Sequence, residues 1–256
     1  MDFFSLDRNI KDQFAYNLET NSGFISGDRE QIHDEELNEG FLVKTAEEEL
    51  PDAEVPSFRS ALISLIQSCK SLAIRVMAAT ALSLGREKEY FISMHRELGT
   101  EKGLTCLRVN HYPPVPDTVP QGITRFAAHS DFGTLTFLFQ DDAGGLQVQD
   151  HDETWVDAVP LPGTVLVMVG DFLKFNSDGK FSAAMHRVLV PEEQERRRST
   201  RNAIIYFVLP DGHLPMAPTD SSSTSSSFMG TVVDPSHLTV QQYLYHNLNN
   251  IYTPRE

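Results

Sequence analysis

The side chains best suited to hold a metal in this 256-residue chain are His129, Asp131 and His186. His129-Ser130-Asp131 spaces an imidazole and a carboxylate two residues apart, and in a β-strand residues i and i+2 face the same side. Such a pair alone is a weak signal, because it arises by chance in many chains. His186, in Met185-His186-Arg187-Val188, would bring a third ligand from another strand. Two neutral imidazoles and a carboxylate are the donor set of a facial non-heme Fe(II) centre, which leaves coordination positions open. The competing reading is that these are ordinary core or surface histidines. The remaining histidines, at 33, 95, 111, 151, 213, 237 and 246, have no partner at ligand spacing and are expected to be structural or solvated.

Ligands drawn from distant parts of a chain need rigid elements to hold them. Between Ser57 and Leu84, apolar residues fall at 58, 62, 65, 66, 69, 72, 73, 76 and 77, the spacing of one buried helical stripe. Pro56 before it and Gly85 after it mark the start and stop. A shorter helix is expected over Glu87–His95. From Leu104 onward the texture changes to short β-branched and aromatic runs. Strands are predicted at Leu104–Tyr112, Thr134–Phe139, Leu146–Gln149, Trp155–Ala158, Thr164–Val169, Ala184–Leu189 and Ala203–Leu209. Pro113-Pro114, Asp141 to Gly145, Pro160 to Gly163 and Asp178-Gly179 break them. This pattern predicts a sandwich or barrel rather than alternating β-α units. No internal repeat is visible. Thr219 to Ser227 is nearly all serine and reads as a loop, and Leu238–Tyr252 reads as a closing amphipathic helix. One domain over 1–256 is expected: a flanking helical and loop region (1–99), a β core (100–210) and a C-terminal loop and helix (211–256).

Composition narrows the partners. The chain carries 36 acidic and 21 basic side chains, net charge −15, a field that repels phosphate backbones and anionic membranes. Residues 27–54 hold eleven Asp or Glu against Arg29 and Lys44, a solvated acidic face or loop. This loop and the serine loop are both candidate lids. No uncharged apolar run reaches the ~18–20 residues of a membrane span, and Met1-Asp2-Phe3-Phe4 lacks the features of a signal peptide. Cys69 and Cys106 are too few for a disulfide scaffold and fit a reducing compartment, so a cytoplasmic location is expected.

Further motifs stand around the histidines in a fixed order. Leu107-Arg108-Val109-Asn110-His111-Tyr112-Pro113-Pro114 precedes them. His129-Ser130-Asp131-Phe132-Gly133-Thr134-Leu135-Thr136 contains the first two ligands, and Gly144-Gly145-Leu146-Gln147-Val148 follows. Trp155, Pro162-Gly163, Gly170-Asp171 and His186-Arg187-Val188 complete the set. In this order the chain resembles the Fe(II)/2-oxoglutarate-dependent dioxygenases of the isopenicillin N synthase-like family, densely over residues 100–210. More thinly, the likeness reaches Glu39-Gly40-Phe41 and the Tyr243–Tyr252 helix. The resemblance implies a mainly β fold with flanking helices: a double-stranded β-helix, or jelly roll, with a helical layer from its N-terminal region. It also implies that His129, Asp131 and His186 hold Fe(II). The co-substrates would be 2-oxoglutarate and O2, with ascorbate as a possible reductant, and the reaction would decarboxylate 2-oxoglutarate to succinate while oxidising, by default hydroxylating, a small organic substrate.

The family grips the distal carboxylate of 2-oxoglutarate with an Arg in an RxS motif opening a strand that ends in two aromatics. Arg201-Asn202-Ala203-Ile204-Ile205-Tyr206-Phe207 fits that register, with Ala203 where Ser is expected. Arg197-Arg198-Ser199 keeps RxS but loses the spacing to the aromatics, so Arg201 is preferred. Tyr112 and Asn110 match positions that also contact the co-substrate, or they simply end a strand before Pro113. Phe207 stands beside the iron pocket or in plain core. Family members usually have some further residues ahead of Phe3-Phe4, so the N-terminus reads as shortened, with an exposed barrel edge as the expected consequence. The alternatives are a 2-oxoglutarate-independent iron oxidase of the same family, a shortened non-catalytic binding or regulatory relative, and more distantly a zinc hydrolase.

Overall fold

In the second half of the chain, apolar side chains alternate with a period of two along short runs, and this builds two antiparallel sheets with a shared interior. The computed structural model describes residues 1–26, 37–116, 123–218, 226–228 and 231–252. Residues 219–225 of the serine stretch and 27–36 of the acidic segment, including His33, lie outside the described residues. The rest of the acidic segment, 37–54, is described and holds the largely buried strand Glu39–Val43, which is sheet and not a loop or lid. The strands are β1 (Gly23–Ile25), β2 (Glu39–Val43), β3 (Cys106–Tyr112), β4 (Thr124–His129), β5 (Leu135–Gln140), β6 (Leu146–Gln149), β7 (Trp155–Asp157), β8 (Leu166–Val169), β9 (His186–Leu189), β10 (Arg201–Val208), β11 (Ser226–Phe228) and β12 (Thr231–Val233). The helices are α1 (Arg8–Lys11), α2 (Phe58–Ser83), α3 (Asp171–Asn176), α4 (Gln194–Arg197) and α5 (Val240–Tyr252).

A major sheet runs in the order β1-β2-β3-β10-β5-β8 and a minor sheet in the order β4-β9-β6-β7; β11 and β12 form a separate hairpin. The chain passes from sheet to sheet at nearly every step from β3 to β10, which is the jelly roll the sequence resemblance implies. All ladders between these strands are antiparallel. In β10 the residues Arg201, Ala203, Ile205 and Phe207 pair with Tyr112, Asn110, Arg108 and Cys106 of β3. Those eight side chains share one face, turned to the minor sheet.

The opposite face carries Leu107, Phe137, Tyr206 and Val208, which pack in one cluster with Cys69, Ala73 and Met77 of α2. The helix thus covers the sheet from outside, as its stripe predicts, and Gly85 ends it at φ 69°. Burying each large apolar side chain there contributes roughly 1.5–3 kcal/mol. By length and composition alone α2 also meets the requirement for a membrane span. The count of uncharged runs missed this because Arg59, Lys70 and Arg75 interrupt it. At the other end of the major sheet, Phe3 meets Phe41 of β2 edge-on at 4.9 Å, and Lys11 bonds Glu39 at 2.9 Å.

Three expectations need correction. Glu87–His95 is a series of turns with a single 3-10 turn at Ile92–Met94, because His95 is drawn inward to bond Phe91 O and Thr134 Oγ1. The chain also forms β1, β2, β4 and the short α3, none of which the sequence pattern announced. Finally, His129-Ser130-Asp131 does not lie along one strand: β4 ends at His129, and Asp131 sits in the bend beyond it.

Candidate active site

β4 and β9 are neighbours in the minor sheet, and their register places His129 directly opposite His186. Their rings stand 4.1 Å apart between centroids. Asp131, just past the end of β4, turns its carboxylate to the same point: Oδ1 lies 3.8 Å from His129 Nε2 and 3.9 Å from His186 Nε2. One ligand atom from each residue lies within 4.8 Å of the others, the sole such cluster of metal-binding groups among the described residues. The convergence expected from the sequence is real, but it comes from cross-strand pairing and a bend.

The tautomers follow from the hydrogen bonds. His129 Nδ1 lies 2.8 Å from Ala127 O, and His186 Nδ1 lies 2.9 Å from Ala184 O. A carbonyl oxygen only accepts, so each Nδ1 carries the proton and each neutral ring offers an Nε2 lone pair to the cluster. Burial, reinforced by repulsion from His186, pushes the His129 pKa down to about 3, against the attraction of Asp131. The site therefore favours the unprotonated imidazole that a metal requires. Asp131 Oδ2 is buried without a hydrogen-bond partner in the protein. A buried carboxylate with so little to balance its charge is costly, and a divalent ion held between Oδ1 and the two Nε2 atoms fits that demand.

Two cavities meet at this cluster. The first is lined by His129, Asp131 and His186 together with Arg108, Asn110, Tyr112 and Arg201, and is closed by Leu138, Met168, Ile205 and Phe207. Arg201, 1% exposed, is part of its wall. Its Nε donates to Gly144 O at 2.8 Å, and the guanidinium lies over the Tyr112 ring at 4.8 Å. The turn that presents that carbonyl runs through Gly144 and Gly145 at φ 70° and 87°, a conformation other residues rarely adopt. One terminal nitrogen of Arg201, Nη1, is buried with no partner. A desolvated cation with an unused donor in the wall of a cavity is suited to a carboxylate. Asn110 Nδ2 donates to Tyr112 Oη at 3.1 Å, and Arg108 Nε donates to Asn110 Oδ1, so the polar wall is already ordered.

The second cavity shares His129, Asp131, Arg108, Phe126 and Phe207 with the first, and is otherwise mostly apolar. Leu42, Cys106, Phe132 and Leu209 line it, with Leu244, Leu248 and Ile251 of α5 as one wall. Phe207 lines both cavities and also packs against the neighbouring apolar clusters, so its two sequence readings hold together. The alternative Arg197 lies outside β10 and outside the lining of both cavities: it belongs to α4, and its Nη2 donates to Pro116 O. Arg108 was not singled out from sequence, although strand alternation puts it on the face of Asn110 and Tyr112. Nor did any local pattern mark the α5 wall, which is brought to the site only by the tertiary fold.

Comparison with known proteins bears on this arrangement. Residues 104–210 match the model of the 2OG-Fe(II) oxygenase superfamily. A full-length Neurospora crassa protein solved with alpha-KG and thymine superposes with a TM-score of 0.78 at 28% identity, covering 98% of this chain and 80% of its own. Its C-terminally truncated apo form is 30% identical, with a TM-score of 0.64, covering 81% of this chain and 74% of its own. This chain belongs to the 2OG-Fe(II) oxygenase superfamily. Among curated relatives, the 2-oxoglutarate-dependent dioxygenase frbA of Dothideomycetidae sp. (strain 11243) is 32% identical over 74% of this chain. This superfamily member spans 59% of that relative's length.

Proposed function

We propose that the chain is a non-heme Fe(II) enzyme that couples decarboxylation of 2-oxoglutarate, to succinate, with oxidation of a small organic substrate. The observation that carries this reading is the junction itself: two Nε2 lone pairs and Asp131 Oδ1 converge where a cavity lined by Arg201, Asn110 and Tyr112 meets a mostly apolar one. His129, Asp131 and His186 would hold the metal. When bound, iron supplies the redox chemistry that links the two oxidations.

The chain's own residues do the rest. Arg201 takes the distal carboxylate of 2-oxoglutarate on its unused donor, with the Tyr112 hydroxyl close by. Asn110, locked between Arg108 and Tyr112, orients the co-substrate nearer the metal. Leu138, Met168 and Ile205 keep water away from the cavity between those ends, which strengthens the ion pair at Arg201. The second substrate enters the apolar cavity against Phe126, Phe207 and α5. The structures of the Neurospora crassa relative with alpha-KG and thymine support a small-molecule substrate in this fold.

The test is an anaerobic titration of the apoprotein with Fe(II) and then 2-oxoglutarate, followed by visible absorption. A charge-transfer band that grows with 2-oxoglutarate and is lost in Arg201→Ala is the expected result. Iron binding without any band in the wild type would refute the 2-oxoglutarate part of the reading, and no iron binding would refute all of it.

A further inference from the structure

Metal-binding carboxylates are commonly oriented by a hydrogen bond to the oxygen that does not bind the metal. Asp131 has none: its Oδ2 is buried and makes no hydrogen bond to the protein. Its orientation must come from the backbone of the loop that carries it. That loop is fastened to α3 by a series of main-chain bonds. Asp171 N donates to Asp131 O at 2.8 Å, Phe172 N to Gly133 O at 3.1 Å, and Gly170 N to Thr134 O at 3.2 Å.

The side chain of Asp171 adds a second hold. It is 1% exposed, and both carboxylate oxygens are engaged. Oδ1 accepts from Ser130 Oγ at 3.0 Å, and Ser130 is the residue between the two ligands of the loop. Oδ2 accepts from Tyr243 Oη at 2.8 Å, and Tyr243 belongs to α5, whose Leu244, Leu248 and Ile251 wall the apolar cavity. One buried carboxylate therefore joins the metal-ligand loop to the helix against which the second substrate would lie.

We propose that Asp171 is a positioning residue. It fixes the ligand Asp131 through Ser130 and the loop backbone, and through Tyr243 it makes the geometry at Asp131 depend on the seat of α5. The inference rests on the metal-site reading above. A carboxylate accepts from two hydroxyls at once, whereas an amide of the same shape has one acceptor oxygen, so Asp171→Asn removes the charge and forces one hydroxyl to reverse and accept from the amide, without removing volume.

Co(II) serves as an air-stable probe, because its visible spectrum reports ligand geometry independently of turnover. Wild type, Tyr243→Phe, Ser130→Ala, Asp171→Asn and the Tyr243→Phe/Asp171→Asn double variant would be titrated, each with a melting curve. Asp171→Asn should weaken Co(II) binding by about tenfold or more, the effect usual for groups behind metal ligands, and shift the visible bands. Tyr243→Phe and Ser130→Ala should shift the same bands less, and the double variant should be no worse than Asp171→Asn alone. Folded variants with wild-type affinity and spectrum would overturn the proposal while leaving the metal site standing. Failure of the wild type to bind Co(II) would overturn the metal site as well. Should Asp171→Asn not fold, Tyr243→Phe, which deletes one hydroxyl, decides the question by the same readings.

Discussion

At position 203 a methyl group stands where the family pattern expects a hydroxyl, between Arg201 and Ile205 on the inward face of β10. Arg201 retains an unused buried donor beside it. A hydrogen bond to a charged group contributes about 1.5–3 kcal/mol, so restoring the hydroxyl should strengthen the grip on 2-oxoglutarate. Ala203→Ser is expected to lower the Kd for 2-oxoglutarate about tenfold in the anaerobic titration. Equal or weaker binding would mean that side chain does not reach the carboxylate. The inward placement of Arg201 was legible in the sequence because a strand fixes which residues face inward, and Tyr206-Phe207 pinned the register. Arg108 obeyed the same alternation, yet its role as a shared wall between two cavities became visible only once β2, β4 and the loops had folded around it. Reading every second residue back from Tyr112 would have found it.

The ligand-bearing loop shows what the elements contribute. Gly133 and Gly170 lie where the backbone of residues 131–134 passes against α3 and the end of β10. A Cβ on Gly170 would run into the carbonyl oxygens of Gly133 and Asp131. Those oxygens belong to main chain already held by hydrogen bonds, so no flexible side chain can move aside. Gly170→Ala should therefore cost about 1–3 kcal/mol, as overpacking of a tight site does, and should weaken metal binding because the shift falls on Asp131 itself. Denaturant unfolding and Co(II) titration of the same samples check both; an unchanged midpoint and affinity would refute the close-approach argument. The long helix α2, α5 and all seven strands expected from the sequence were foreseeable, most of them because they bury a stripe with a clear period. β4 was not, because its pairing with β9 shifts register between Thr124, Phe126 and His129 and so breaks the alternation. The short α3 escaped for a related reason: its six residues are too few to display a period.

At the scale of the whole molecule, the two sheets, the outer helix and α5 form a scaffold whose stability can be read through one buried group, His95. His95 Nδ1 donates to Phe91 O, and its Nε2 accepts from Thr134 Oγ1, tying the segment after α2 to the start of β5. Burial pushes its pKa from 6.5 down to about 4, only partly opposed by the hydrogen bond to Phe91 O and by the charge of Asp211. Below pH 6.5 the unfolded chain binds a proton that the folded protein does not, so stability is complete above that value and is lost as pH falls toward 4. At 1.36 kcal/mol per unit, this group accounts for a loss on the order of 3 kcal/mol. His95→Gln should start less stable at pH 7 and lose that much less on acidification, measured by urea unfolding at each pH. Parallel curves for the two proteins would exclude His95 as the cause.

The metal cluster tests the same scaffold from the inside. Its three ligands come from β4, the bend beyond it and β9, which meet only in the folded protein. An ion that binds there and not to the unfolded chain must stabilise the fold by mass action, by about 2.7 kcal/mol when its free concentration is a hundred times Kd. For a chain of this size each kcal/mol moves Tm by roughly 2–4 °C, so Co(II) or Mn(II) should raise Tm by roughly 5–10 °C and a chelator should reverse the rise. His186→Ala removes one ligand from β9 while leaving the outer face of the sheets and α2 untouched. It should melt near the metal-free wild type and respond little to added metal. If wild type and His186→Ala rise together, the ion is bound elsewhere on this acidic surface; if neither rises, the two imidazoles and Asp131 are not a metal site.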